Sequence, residues 1–314
     1  MLIPNPPVVS IIIPTYNQCA LLEKALQSVL AQTYTNFEVI IINNYSEDKT
    51  IEVVESFDDP RISLIHFKNH GSIAAARNLG INKSKGKYIA LLDSDDLWLP
   101  NKIDVCLEHL EEGYDLVCHA QIFMDERVGT QKVVTYGPSS TTQYHNLLFG
   151  NNTISTSTVL MTKEIFEKAG QFNEAADLIT AEDYDLWLNI SKMNAKILVL
   201  DDVLGKKRLH FNNTCYAVGN HVNAILYVVR MHFESLQTKR PIHSIRYFYK
   251  KAMIYYGMGR SYYMLKNYRG SFKYCLKAII YFPFFLRSYV AIIMALWAIM
   301  FKKNQAPRPH LSLL

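Results

Sequence analysis

Tyr88-Ile-Ala-Leu-Leu-Asp-Ser-Asp-Asp-Leu-Trp98 decides the fold. Tyr88 to Leu92 is an unbroken apolar run, and three carboxylates, Asp93, Asp95 and Asp96, follow it at once. A strand apolar on both sides belongs to a sheet covered on both faces. Upstream, Val8–Ile13, Phe37–Ile42 and Arg61–His66 read as three more strands. Between them, Cys19–Ala31, Thr50–Phe57 and Ser72–Lys83 read as helices; Leu22, Ala25, Leu26, Val29 and Leu30 share one face of the first. Strands alternating with helices predict an α/β, Rossmann-like, doubly wound and mostly parallel sheet. Ligands of such sheets sit beyond the carboxyl ends of the strands, so the polar residues there are the first candidates for function.

Downstream the pattern loosens. A helix over Pro100–Glu112 leads to strands near Leu116–Phe123 and Lys132–Tyr136, then a Pro, Ser and Thr loop over Gly137–Thr142. A strand is expected at Val159–Met161, a helix at Ala181–Met193, and strands at Ile197–Leu200 and Val203–Leu209. From about Asn220 the chain reads as wholly helical. The 314 residues are 49% apolar and 19% charged, the balance of a globular core. Lys and Arg number 33 against 28 acids, a formal +5, with no long basic run in the first 240 residues, which argues against a nucleic-acid partner. The five cysteines are scattered without a CxxC pair, as reduced, packed thiols would be. The start, MLIPNPPVVS, lacks the pattern of a signal peptide, so a cytoplasmic location is expected.

Carboxylates alone would repel a diphosphate. Asp93, Asp95 and Asp96 make chemical sense with Mg²⁺ or Mn²⁺, which take carboxylate and phosphate oxygens together. The bland alternative is an acidic turn capping the next helix, and the position at a strand's carboxyl end weighs against it. Four ordered blocks then resemble the family 2 glycosyltransferases, which have a GT-A fold: Val9-Ser-Ile-Ile-Ile-Pro-Thr-Tyr-Asn17, Leu26-Gln-Ser-Val-Leu-Ala-Gln-Thr-Tyr34, Gly71-Ser-Ile-Ala-Ala-Ala-Arg-Asn-Leu-Gly80 and the DxD-like Asp93-Ser-Asp95. The likeness spans roughly residues 8–215. It implies an inverting, metal-dependent transfer of a sugar from a nucleotide-diphosphate-sugar donor to an acceptor hydroxyl in cell-surface glycan synthesis. By that resemblance Pro14, Thr15, Tyr16, Asn17, Asn44, Arg77, Asp93 and Ser94 line the donor site, and Asp95 holds the metal, with His210 completing its shell. Where the family often has a pair of acids after the second strand, this chain has Asn43-Asn44, which leaves the donor base open among uridine, thymidine and guanosine.

Inverting transfer needs a base on the acceptor side. Thr180-Ala-Glu-Asp-Tyr-Asp-Leu-Trp187 resembles the family's ED motif, which implies Asp183 as that base, with Glu182 and Trp187 beside the acceptor. The competing reading is a helix start decorated with acids to suit its dipole. The expected organisation is a GT-A domain over 1–215, divided into a nucleotide-sugar half (1–115) and an acceptor half (116–215), with a helical extension over 216–314. Within the extension, 252–285 resembles one tetratricopeptide unit, and 284–301 reads as an apolar helix suited to peripheral membrane contact beside a glycan or lipid-linked acceptor. Two other readings compete with this one. A nucleotidyltransferase would carry a glycine-rich basic loop where Pro14-Thr-Tyr-Asn-Gln18 stands. A catalytically silent nucleotide-sugar-binding or scaffold protein acting through the tail would suit Asn43-Asn44, and the intact Asp93, Asp95 and Asp183 oppose it.

Overall fold

Val9–Thr15 (β1) is buried at every position, as a central strand covered on both faces must be. The computed structural model describes residues 6–126, 129–209, 218–236 and 240–301. After β1 come Cys19–Leu30 (α1), Phe37–Asn43 (β2), Thr50–Glu55 (α2), Ile62–His66 (β3), Ile73–Lys83 (α3) and Tyr88–Leu91 (β4). Then follow Leu97–Trp98 (β5), Lys102–Glu111 (α4), Leu116–Asp125 (β6), Thr130–Val134 (β7), Tyr144–Phe149 (α5), Leu160–Thr162 (β8), Lys163–Lys168 (α6), Glu182–Lys192 (α7) and Ile197–Leu209 (β9). The last four helices are Val218–Glu234 (α8), Pro241–Met264 (α9), Tyr268–Tyr281 (α10) and Leu286–Phe301 (α11). The chain divides into two compact units. One runs to Leu147 and resumes from Asn151 through β9; the other takes Leu148–Gly150 and the helices from α8 onward.

In the first unit the sheet order is β3-β2-β1-β4-β8-β6-β9-β5, with β7 paired to β6. The first four strands are parallel, as their continuous apolar runs predict. Beyond β4 the sheet is mixed: β8 is antiparallel to β4 and to β6, whereas β9 runs parallel to β6. The mostly parallel expectation therefore holds among β1, β2, β3 and β4, and the sheet as a whole is mixed. One face of β1 and β2 (Ile11, Ile13, Val39, Ile41) joins a core with Leu22, Leu26, Ile103 and Leu107 from α1 and α4. The opposite face carries α3, and Gly80 lets it approach: a Cβ there would lie 2.7 Å from Ile12 Cγ2. Thr15 pairs with Asn43 and Asn43 with His66, so three strands end level and open their loops on one side.

His119 on β6 is fully buried, and its Nδ1–H donates to the Ala120 carbonyl at 2.8 Å. Burial, helped by the charge of Lys102, holds its pKa down at about 3. Between that value and the ordinary 6.5 the unfolded chain binds the extra proton, so stability is full above this window and falls as pH drops through it, by up to about 1.4 kcal/mol per unit. Denaturant unfolding at pH 7, 6 and 5 is expected to show a steeper loss in the wild type than in His119→Gln. Equal slopes would refute the assignment.

In the second unit α9 and α10 are antiparallel, since Tyr255 stacks on Tyr281 and Tyr262 on Tyr274. Ser271, Cys275 and Ala278 are the buried positions of α10. Gly259 sets the approach of the helices, because a Cβ there would meet Cys275 Sγ at 2.5 Å and two backbone atoms at 3.2 Å. Gly257, two residues away, has open space. Gly257→Ala is thus expected to stabilise the fold by up to about 1 kcal/mol through helix propensity. Gly259→Ala is expected to destabilise it by roughly 1–2 kcal/mol through overpacking. Urea unfolding of the pair reads the sign directly.

Candidate active site

The loops after β1, β2 and β3 are tied together by asparagines. Asn17 sits at φ +49°. Its N–H donates to Ser46 Oγ, and its Oδ1 accepts from Glu47 N at 2.8 Å. Asn43 Oδ1 accepts from Ser46 N at 2.9 Å, and Asn44 Oδ1 accepts from Asn69 N at 3.1 Å. Pro14 is buried and Thr15 is 5% exposed; both are the end of β1 rather than open loop. Tyr16 and Tyr45 stand out from this floor at 53% and 59% exposure, the geometry of rings able to receive a base or sugar face. Tyr45 escaped the sequence reading, although it follows Asn44 directly.

Arg77, on α3, is 3% exposed and bridges two carboxylates. One Nη donates to Asp93 Oδ1 at 2.7 Å and the other to Glu182 Oε1 at 2.9 Å. Its guanidinium carbon lies 5.3 Å from the centre of the Phe172 ring. Each terminal nitrogen of the fork thus holds one carboxylate, and the side chain joins the turn after β4 to the start of α7. Glu182, expected on the acceptor side, is the buried partner of Arg77. Burial raises the Asp93 carboxyl, but Arg77 and Lys207 outweigh it and hold it below its usual range. Glu182 goes the other way, raised by burial and the neighbouring Asp183 charge against the pull of Arg77. The next residue, Asn78, completes the seam by donating to Phe172 O and Glu174 Oε1, each at 2.8 Å.

Asp93, Asp95 and Asp96 present carboxylate oxygens all within 4.8 Å of one another, a spacing that fits one divalent cation. Asp96 is 2% exposed and accepts from Arg208 N at 3.1 Å. Burial pushes its pKa up to about 7; Lys207 opposes this, and Asp95 and Asp93 add to it. Lys207, on β9, faces the same three acids: burial lowers its pKa, and they outweigh burial and hold it above the ordinary lysine value. Asp96 belongs to the acid cluster read from the sequence, whereas Lys207 has no role in that reading, though it stands in the segment that ends at His210. Ser94 is 4% exposed, with its hydroxyl donated to Gln18 Oε1.

The expected base stands at the start of α7. Thr180, a β-branched residue, has φ +80°, a costly conformation placed just before the acids. Asp183 is half-buried, with Oδ2 accepting from Thr156 Oγ1 at 3.1 Å and Oδ1 from Tyr184 N at 2.6 Å. Its orientation is therefore fixed from two sides. A cleft lined by Ser72, Ile73, Ala74, Asn173, Ala175 and Ile179 reaches Glu182 beside it. Trp187, expected beside the acceptor, follows on α7. It is fully buried and meets the Phe172 ring edge-on at 6.4 Å, because a residue four beyond Asp183 has already turned into the core. His210 lies outside the described residues.

The family model for glycosyl transferase family 2 matches residues 10–170. An uncharacterized glycosyltransferase of Rickettsia bellii is 37% identical over 66% of this chain and 30% of its own length. The putative colanic acid biosynthesis glycosyl transferase WcaA of Escherichia coli is 32% identical over 59% of this chain and 67% of its own. The putative teichuronic acid biosynthesis glycosyltransferase TuaG of Bacillus subtilis is 28% identical over 66% and 81%. The chain matches from 30% to 66% of the length of five Rickettsia relatives. Among solved structures, S. aureus TarS 1–349 in complex with UDP-GlcNAc superposes with a TM-score of 0.66 at 15% identity, over 92% of this chain and 89% of that one. Mannosyltransferase PcManGT from Pyrobaculum calidifontis, in complex with GDP-Man and Mn²⁺, gives 0.61 at 15% identity, over 95% and 88%. These likenesses establish the α/β fold as GT-A with a helical extension. By its family model and these relatives, the chain belongs to glycosyl transferase family 2.

Proposed function

We propose that this protein is an inverting glycosyltransferase that moves a sugar from a nucleotide-diphosphate donor to a hydroxyl of a cell-surface glycan or lipid-linked acceptor. The observation that carries this reading is the buried Arg77 bridge, which ties the acid cluster after β4 to the helix bearing Asp183. Asp183 accepts the proton of the acceptor hydroxyl, whose oxygen attacks the anomeric carbon from the side opposite the diphosphate. The bond from that carbon to the diphosphate oxygen breaks, and its electron pair leaves with the nucleotide. Thr156 and the Tyr184 N–H keep the Asp183 carboxylate aimed throughout. Asp93, Asp95 and Asp96 would hold Mg²⁺ or Mn²⁺, with His210 as a further ligand; the chemistry supplied is neutralisation of charge on the departing diphosphate. Tyr16, Asn17 and Asn44 take the nucleotide, and the reaction belongs to the cytoplasm, at the inner face of the membrane.

The relatives named for colanic acid and teichuronic acid biosynthesis support the acceptor class. The neighbours solved with UDP-GlcNAc and GDP-Man support a nucleotide-sugar donor. Proton NMR of the sugar released or transferred from an α-linked donor tests the mechanism. A β-configured product at first appearance is expected, and an α-configured one would exclude inversion.

A further inference from the structure

From Ser235 to Leu314 the chain holds 14 lysines and arginines and no aspartate or glutamate. The preceding 234 residues hold the other 19 cations and all 28 acids, so a mild overall +5 conceals a tail of +14 joined to a body of −9. Such asymmetry points to an anionic partner. Exposed cations lie on three tail helices: Arg260 on α9, Arg269 and Lys273 on α10, and Arg287 on α11.

α11 adds an apolar surface of unusual breadth. No charged residue occurs between Ser288 and Phe301. Ser288, Ala295 and Ala298 are its buried positions. The exposed side runs from Leu296 through Ile293 and Trp297 to Val290 and Met294, about 160° of the circumference at 100° per residue. Leu276, Ile280 and Phe284 extend it along α10 and the following turn. A partner helix would cover a stripe nearer 100° wide, whereas acyl chains cover the whole arc. With 16 residues α11 is about 24 Å long, short of the ~30 Å hydrocarbon core. No helix among the described residues is long and apolar enough to cross a membrane.

We propose that the helical unit docks on an anionic bilayer: α11 lies within the interface with its apolar arc among the acyl chains, and the acid-free helices set their cations against the headgroups. This deepens the membrane-face element of the proposed function by naming the lipid chemistry and the binding element. Docking is measured without donor or metal, so failure here leaves the transferase reading standing, and the reverse.

The test is partition of the full chain onto vesicles of phosphatidylcholine alone or mixed with phosphatidylglycerol. Trp98 and Trp187 are buried, so Trp297, 53% exposed, is the tryptophan whose emission reports insertion. Binding to the anionic vesicles is expected with a blue shift, at least ten-fold weaker on neutral vesicles or in ~0.5 M salt. The exposed triple variant Ile293→Ser, Trp297→Ser, Met300→Ser should lose at least ten-fold while keeping its far-UV spectrum. Three results would overturn the proposal: no partition onto anionic vesicles, undiminished binding by the triple variant, or capture by soluble polyphosphate with Trp297 emission unchanged. A stable dimer in sedimentation that shields Trp297 and refuses vesicles would instead give the surface to a second copy.

Discussion

Asp183→Asn is expected to lower transfer by at least about 100-fold while donor affinity and melting temperature stay near the wild-type values. The amide is nearly isosteric: its one oxygen can accept from the Tyr184 N–H, and its NH2 can donate to the Thr156 hydroxyl, which turns to accept, so the local structure is retained. What it loses is the ability to take the acceptor's proton. Single-turnover transfer with saturating donor separates the two effects, because a binding defect would be removed by excess donor. A variant that transfers at close to the wild-type rate would remove Asp183 from the mechanism.

Arg77→Leu is expected to cost about 3–5 kcal/mol, a large share of the 5–15 kcal/mol typical of a folded domain. The loss comes less from the attraction removed than from Glu182 being left buried, and Asp93 part-buried, without their shared cation. Arg77→Lys should cost less, though it cannot span both carboxylates, since an ammonium is a point donor where the guanidinium is a fork. Adding Glu182→Gln to Arg77→Leu should recover part of the loss, so the double-mutant cycle in urea should be strongly non-additive. Additive losses would mean that the bridge is incidental.

The donor half was legible because its strands are continuous apolar runs and its acids follow a strand directly. β1, β2, β3 and β4 emerge within a residue or two of where periodicity puts them. The rest depends on contacts distant in sequence. β5 has two residues, too few for any period, and exists because Leu97 and Trp98 pair with Lys206 and Gly205. The two strands expected over 197–209 are one, since Asp201 and Asp202 are absorbed where the pairing with β6 shifts register near His119 and Ala120. Arg77 was flagged as a functional cation, but its partner Glu182 stands 105 residues away, beyond any local pattern. The burial of Trp187 was illegible for a related reason: sharing a helix face with Asp183 does not say where that face stops being solvent-accessible. Lys207 is flanked by two other cations, Lys206 and Arg208, and no local pattern tells which of the three meets the acids.

In the proposed function, the acids after β4 hold a nucleotide-diphosphate sugar through a divalent cation. The most direct test is the melting temperature with UDP-, dTDP- and GDP-sugars, with and without Mn²⁺, in the wild type and in Asp95→Asn. A ligand that binds only the folded state raises the melting temperature according to its saturation. The account predicts a shift with one nucleotide that requires Mn²⁺ and is abolished by Asp95→Asn. A shift independent of Mn²⁺ and unchanged in the variant, or none with any donor, would contradict it.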